Sequence, residues 1–367
     1  MHVRRSYSGV EGAFRDSPCK VNALARRVFQ FPVIRARWTN RISIASPADF
    51  VRGRALPVET PLTGVFPYRL DFARSRAIYV QGIEARAAQA APLYYLYLRR
   101  NARSLLSVPL EYAPLSGAAN VPSPVFLFSP GRCGSTLLSR VLFEAGIASV
   151  SEPDFYTQMS SQFWSNRHNP LREPFRKAMW NMTKDLVAAL DAVHAPVVKL
   201  RAESCREPSL FQQPSGKRPR TLVMFRSLES WARSTCRTFR PDSGKAVRKY
   251  MRALECYAFL KRNSDCHVVR YEALLSNPAD ACAALSRFLG AANPVEAVVR
   301  ARERDTQEGT PLERSICRER TGWEVRFNAT VHLWHSPSFA LARDRLGIQN
   351  VWSGTPEEGE KSLRTML

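Results

Sequence analysis

The chain has 367 residues, 45% of them apolar and 23% charged, the balance of a globular protein long enough for one large domain or two modest ones. Lys and Arg number 54 against 32 Asp and Glu, a net charge of +22 with 45 arginines; such a surface attracts anions, although a GC-rich coding sequence produces the same excess. No run approaches the roughly 20 uninterrupted apolar residues of a membrane span, and eight scattered cysteines with no C-x-x-C pair speak against a zinc ribbon or redox dithiol and for a reducing, cytoplasmic setting.

Residues 1–121 hold 18 Lys and Arg against 7 Asp and Glu. Within them, residues 1–55 lack sustained periodicity and read as a basic, disordered or loosely ordered arm. Their composition equally suits an organelle transit peptide or a start placed too far upstream. Residues 56–121 read as a small N-terminal α+β segment whose helical core runs from Glu84 to Leu106. Pro114 to Pro124 has the composition of a linker. The main domain is expected over 122–345 and a C-terminal tail over 346–367.

The main domain opens on Pro124 to Ser129 (PVFLFS), a short apolar run suited to a buried parallel strand. Pro130-Gly131-Arg132-Cys133-Gly134-Ser135-Thr136 follows, and then a stretch of helical spacing from Leu137 to Phe143. Strand, glycine loop and helix start together place backbone N–H groups and a helix N-terminus around a phosphate. Gly131 and Gly134 let the backbone approach the anion, Ser135 and Thr136 add hydroxyls, and Arg132 adds a cation. An ordinary strand-to-helix turn uses the same residue types. A nucleoside-triphosphate loop needs a lysine before its Ser/Thr and an aspartate after a later strand to hold magnesium. Here Gly134 runs directly into Ser135, and Thr221 to Phe225 ends in Arg226. The chemistry reads as metal-free and arginine-assisted.

These residues resemble the sulfotransferases that use 3′-phosphoadenosine 5′-phosphosulfate (PAPS). FSPGRCGSTLL is similar to their 5′-phosphosulfate loop, with an added Gly131 and with Cys133 in the small position. Phe225-Arg226, with Ser234 eight residues on, is similar to their 3′-phosphate clamp. His267 to Leu275 (HVVRYEALL), followed by Asn277-Pro278 and a helix closing on Phe288-Leu289-Gly290, is similar to their third element, with Tyr271 at the matching tyrosine. The resemblance spans residues 122–290. It implies an α/β fold with a parallel β-sheet flanked by helices, P-loop-containing and sulfotransferase-like, behind a smaller N-terminal extension. It implies PAPS as sulfuryl donor, without metal, held by Gly131, Arg132, Cys133, Gly134, Ser135, Thr136, Arg226, Ser234 and Tyr271.

For catalysis, the resemblance makes Arg132 an electrostatic stabiliser of the leaving phosphate. On Val197-Val198-Lys199-Leu200-Arg201, Lys199 matches a family lysine. Arg201 falls where cytosolic members carry the histidine base, and an arginine cannot serve as one. Glu152, twenty residues after Arg132, matches the glutamate base of Golgi-type and protein-tyrosine members, with Asp154 as the fallback carboxylate. Two further departures are Leu137 in place of a tryptophan that stacks on adenine, and a C-terminal R-K-G segment matched only poorly by Arg320-Thr321-Gly322-Trp323. His267 opens the third matched element, His332 and His335 lie far from any matched motif, His168 and His194 sit in linker-like or surface context, and none of the five is assigned a role.

The acceptor is expected to be a small molecule, glycan or peptide offering a hydroxyl or amine. An anionic one would suit the arginines between 300 and 326. The alternatives are a P-loop kinase-like enzyme and a basic nucleic-acid-binding protein. The latter lacks a recognition helix, a zinc pattern or an aromatic RNA-binding signature, and no specific nucleic-acid partner is expected.

Overall fold

The computed structural model describes residues 28–37, 42–58, 64–112, 114–116, 120–164, 168–192, 194–213, 216–302, 304–318 and 322–345. The first strands are β1 (Val28–Ala36), β2 (Phe50–Arg52), β3 (Leu56–Val58), β4 (Phe66–Asp71) and β5 (Arg76–Gln81). Helices α1 (Ala85–Ala90) and α2 (Tyr94–Asn101) lead into β6 (Ser104–Pro109). These strands form one antiparallel sheet in the order β2-β1-β6-β5-β4, with β3 also pairing with β1.

Two expectations are corrected here. The arm expected over 1–55 contains β1 and β2, so the sheet begins at Val28; residues 1–27 lie outside the described residues. Val28 and Phe50 are core residues, and the buried Asp49 pairs with the buried Arg99 at 3.2 Å and accepts from Tyr68 Oη at 2.6 Å. Pro32 and the lone Arg35 dilute the strand period of β1, which is why pattern alone misses it. The helical core expected from Glu84 to Leu106 divides into α1, α2 and the start of β6. Ala91, which precedes Pro92, takes an extended backbone, as a residue before proline must. Ser104 to Leu106 pair with β1 and β5, a tertiary gain that overrides local helix preference.

The second layer is parallel. Strand β7 (Val125–Phe128) is buried along its whole length, so it reads as an uninterrupted apolar run. Then come α3 (Ser135–Glu144), β8 (Ser149–Ser151), α4 (Asp154–Phe163), α5 (Arg172–Ala189), β9 (Val197–Lys199), β10 (Arg220–Phe225), α6 (Leu228–Phe239), α7 (Ser243–Asn263) and β11 (Asp265–Arg270). Short helices α8 (Tyr271–Ser276), α9 (Pro278–Leu289), α10 (Val295–Arg302), α11 (Arg314–Arg318), α12 (Glu324–Trp334) and α13 (Pro337–Arg345) complete the described chain. The sheet order is β11-β10-β7-β9-β8, all parallel, with helices packed around it. The protein is therefore α/β, a parallel sheet flanked by helices with an antiparallel sheet on its N-terminal side. The expected tail, 346–367, lies outside the described residues.

From β7 the chain moves first to β8 and β9 on one side, then to β10 and β11 on the other. That reversal opens a crevice above the C-terminal ends of the strands, where open parallel sheets bind ligands. The antiparallel sheet packs over α4 and α5 through β4, and buried hydrogen bonds fix it there. Leu70 N–H donates to Gln158 at 2.7 Å, Ala45 N–H to Asp154 at 2.5 Å, and Tyr79 Oη to Asp185 at 2.7 Å. Among the described residues no helix is long and apolar enough to cross a membrane.

Candidate active site

The loop after β7 is wound tightly. Gly131, Arg132 and Gly134 all have positive φ (76°, 59° and 84°). For Arg132 that is strain, tolerated only where the surroundings enforce it. A Cβ on Gly134 would come within 2.4 Å of the Tyr271 ring, so the residue has to be glycine. Trp231 Nε1 donates to Gly131 C=O at 2.7 Å and Ser129 Oγ accepts from Gly131 N–H at 3.3 Å. Gly134 caps α3 without a side-chain hydrogen bond, leaving first-turn N–H groups for a ligand.

This loop forms the floor of a cleft of about 730 Å³. On the β10–β11 side, Arg132 Nε donates to Ser234 Oγ at 3.2 Å, across 102 residues of sequence. Arg226 follows β10 directly and lies 4.4 Å above the Tyr271 ring; its Nε is buried with no hydrogen-bond partner. Burial, and to a smaller degree the charge of Arg226, holds Arg132 below the usual arginine range. Two guanidiniums that line one cleft and act on each other electrostatically favour an anion between them.

On the β8–β9 side, Glu152 follows β8 with φ of 63° and its N–H donates to Lys199 C=O at 2.7 Å. Lys199, the last residue of β9, is buried. Its Nζ pairs with Glu152 Oε1 and reaches Thr136 Oγ1 at 3.4 Å. Arg201 Nε lies 3.7 Å from Glu152 Oε2, Arg201 Nη1 bonds Asp154 Oδ1 at 2.9 Å, and the guanidinium sits 5.1 Å from the Tyr95 ring. A continuous polar chain thus runs from the loop hydroxyl of Thr136 through Lys199 and Glu152 to Arg201 and Asp154.

Gly131, Arg132, Gly134, Ser135, Thr136, Glu152, Lys199, Arg226, Ser234 and Tyr271 all line this one cleft. Cys133 does not: its side chain is wholly buried beneath the loop, and burial pushes its thiol far up, so only its backbone could serve a ligand. Asp154 is wholly buried, and burial raises its carboxyl against the pull of Arg201 and of the Ala45 N–H. It anchors Arg201 and is no substitute base. Three of the arginines expected to meet the acceptor lie elsewhere. Arg300 pairs with Glu296 at 3.6 Å, Arg304 approaches Glu144 at 3.8 Å and Arg326 donates to Gly322 C=O at 3.0 Å. None of these three lines the cleft. Arg320 and Thr321 lie outside the described residues.

Sequence reasoning missed three participants: Trp231 under the loop, the Asp154–Arg201 brace, and the cations of α7 (Lys245, Arg248, Lys249 and Arg252) that form one wall of the cleft. The last were visible in principle, because K-x-x-R-K-x-x-R recurs at helical spacing.

No protein-family model matches the chain, and no curated protein matches it. Among solved structures it is similar to the sulfotransferase domain from the curacin biosynthetic pathway, at 14% identity over 68% of this chain and 98% of that one, with a TM-score of 0.37. It is similar to the sulfotransferase domain of the Synechococcus PCC 7002 olefin synthase at 16% identity, over 59% and 97% of the two chains, with a TM-score of 0.36. It is also similar to mouse sulfotransferase SULT7A1 complexed with PAP, at 12% identity over 66% and 89%, with a TM-score of 0.33.

Proposed function

We propose that the protein transfers a sulfuryl group from PAPS to a hydroxyl or amine acceptor in the cytoplasm. The observation that carries this reading is the 3.2 Å contact between Arg132 and Ser234. It joins the loop that suits a 5′-phosphosulfate to the helix that suits a 3′-phosphate. The buried, unpartnered Nε of Arg226 and the glycine-only approach at Gly134 fit a ligand with an anion at each end.

In this reading the loop N–H groups, Ser135, Thr136 and Arg132 hold the phosphosulfate, while Arg226 and Ser234 hold the 3′-phosphate beside Tyr271. A bond forms between sulfur and the acceptor's oxygen or nitrogen as the bond from sulfur to the bridging phosphate oxygen breaks. The electron pair leaves on that oxygen, giving adenosine 3′,5′-bisphosphate. Arg132 and Lys199 face the developing charge, where fixed cations lower the barrier most. Glu152 takes the acceptor's proton. Lys199, bonded to Thr136 and paired with Glu152, ties the donor loop to the base and fixes their separation.

Thermal unfolding with added nucleotide tests the donor. Adenosine 3′,5′-bisphosphate at 100 times its Kd should stabilise the protein by about 2.7 kcal/mol. Stabilisation by ATP with magnesium and none by the bisphosphate would overturn the reading in favour of a kinase-like enzyme.

A further inference from the structure

Helix α7 presents Lys245, Arg248, Lys249 and Arg252 at i, i+3, i+4 and i+7, a single helical face about 10 Å long. Arg206, at the end of the 3-10 turn Ala202–Arg206, lines the same cleft. Among the described residues no carboxylate lies within ion-pairing distance of these five cations. Glu203 and Glu255 act electrostatically on Lys249 and Arg252 without pairing with them. Arg252 is instead pushed down, by burial first and then by the charges of Arg206 and Arg248. Such a concentration of like charge is unfavourable until an anion enters it.

The guanidiniums are also held in place. Arg252 and Arg206 lie 4.7 and 5.5 Å from the ring of the exposed Trp164, stacking that fixes a cation without neutralising it. The row belongs to the acceptor half of the cleft. Helix α7 packs on the turns Ala202–Arg206 and Pro208–Phe211, which follow the strand that ends in Lys199. The residues suited to the 3′-phosphate come from just after β10, from α6 and from the start of α8, on the far side of the loop. Lys249 borders both halves, its Nζ 3.6 Å from where a Cβ on Gly131 would stand.

We propose that the acceptor is itself an anion, a hydroxyl- or amine-bearing molecule with two or more carboxylate or sulfate groups, held by Arg206, Arg248 and Arg252 while its nucleophile faces Glu152. The chemistry of this acceptor rests on the sulfuryl-transfer reading; the anion site rests on the row alone. A five-cation wall would leave a neutral acceptor's site uncompensated, whereas an acceptor with clustered anions replaces the repulsion by charge-assisted hydrogen bonds.

The test titrates protein saturated with adenosine 3′,5′-bisphosphate with 5-hydroxyisophthalate, a phenol bearing two carboxylates, and with its uncharged dimethyl ester. The dicarboxylate should bind at least about 10-fold tighter than the ester, and Arg248→Gln/Arg252→Gln should erase that advantage. The double variant should keep its melting temperature and bind the bisphosphate within about twofold of wild type, which separates the acceptor side from the donor side. Three results each overturn the proposal: no binding of the dicarboxylate, equal binding of acid and ester, or a loss confined to the bisphosphate, which would assign the row to the donor. Should the bisphosphate itself not bind wild type, the sulfuryl-transfer reading fails separately. The same titration without nucleotide then decides whether the anion row exists.

Discussion

On the β10–β11 side of the loop, Arg226 keeps a buried Nε without a hydrogen-bond partner among the described residues and stacks on the face of Tyr271. On the β8–β9 side, Arg201 is fully engaged, bonded to Asp154, close to Glu152 and stacked on Tyr95. The two arginines sit at equivalent positions, just past the end of a strand, yet they do opposite work. A buried donor without a partner costs free energy in the empty protein, and under the proposed reading it is a place kept for a ligand. A satisfied guanidinium braced by a wholly buried carboxylate is scaffolding, and under the proposed reading it holds Glu152 where a nucleophile would arrive.

The largest expected effect comes from the braced side and falls on stability. Asp154→Ala leaves Arg201 without its buried partner and the Ala45 N–H without an acceptor, and should cost about 3–5 kcal/mol in denaturant unfolding. A cost below about 1 kcal/mol would show that Asp154 is no brace. Next is Glu152→Gln, which should lower single-turnover release of the bisphosphate from PAPS by about 100-fold or more, with nucleotide affinity unchanged. Retention of full rate would place the base elsewhere.

Arg226→Ala probes the open side. It should weaken binding of the bisphosphate by about 2–3 kcal/mol, a lost charge-assisted contact, while the melting temperature of the nucleotide-free protein stays level or rises. A fall in stability equal to the loss of affinity would make Arg226 a brace like Arg201 and erase the contrast. The smallest effect concerns His267 on β11, stacked on Phe288 at 5.2 Å. Burial first, and then the charge of Arg287, holds its imidazole below the ordinary value of 6.5. The unfolded chain therefore binds the proton first, and the contribution of His267 is present above 6.5 and lost as pH falls through the depressed value. In denaturant unfolding, His267→Phe should lessen the loss of stability between pH 8 and pH 5 and change little at pH 8.

The open side was legible in the sequence because its parts are local. A strand, a glycine loop and a helix start are contiguous, and Arg226 and Ser234 lie eight residues apart. Glu152 could be placed by its distance from Arg132, but not its engagement, since Lys199 and Arg201 meet it only when β8 and β9 pair in parallel. Asp154 next to Glu152 looked interchangeable with it, and burial against Ala45, a residue of the N-terminal layer, is what separates them. That layer was itself half hidden, because β1 and β2 gain their stability from pairing with β6 and with each other rather than from their own pattern. The α7 row carries no local signal of a site, because it meets the cleft only through the packing of that helix on the Ala202–Arg206 turn.

Calorimetric comparison of adenosine 3′,5′-bisphosphate with adenosine 5′-phosphate tests the central claim most directly, because the two ligands differ only in the 3′-phosphate assigned to Arg226 and Ser234. The bisphosphate should bind about 30- to 100-fold more tightly to the wild-type protein, equivalent to roughly 2–3 kcal/mol, and Arg226→Ala should remove most of that difference. Equal affinities for the two nucleotides in the wild-type protein would contradict the assignment.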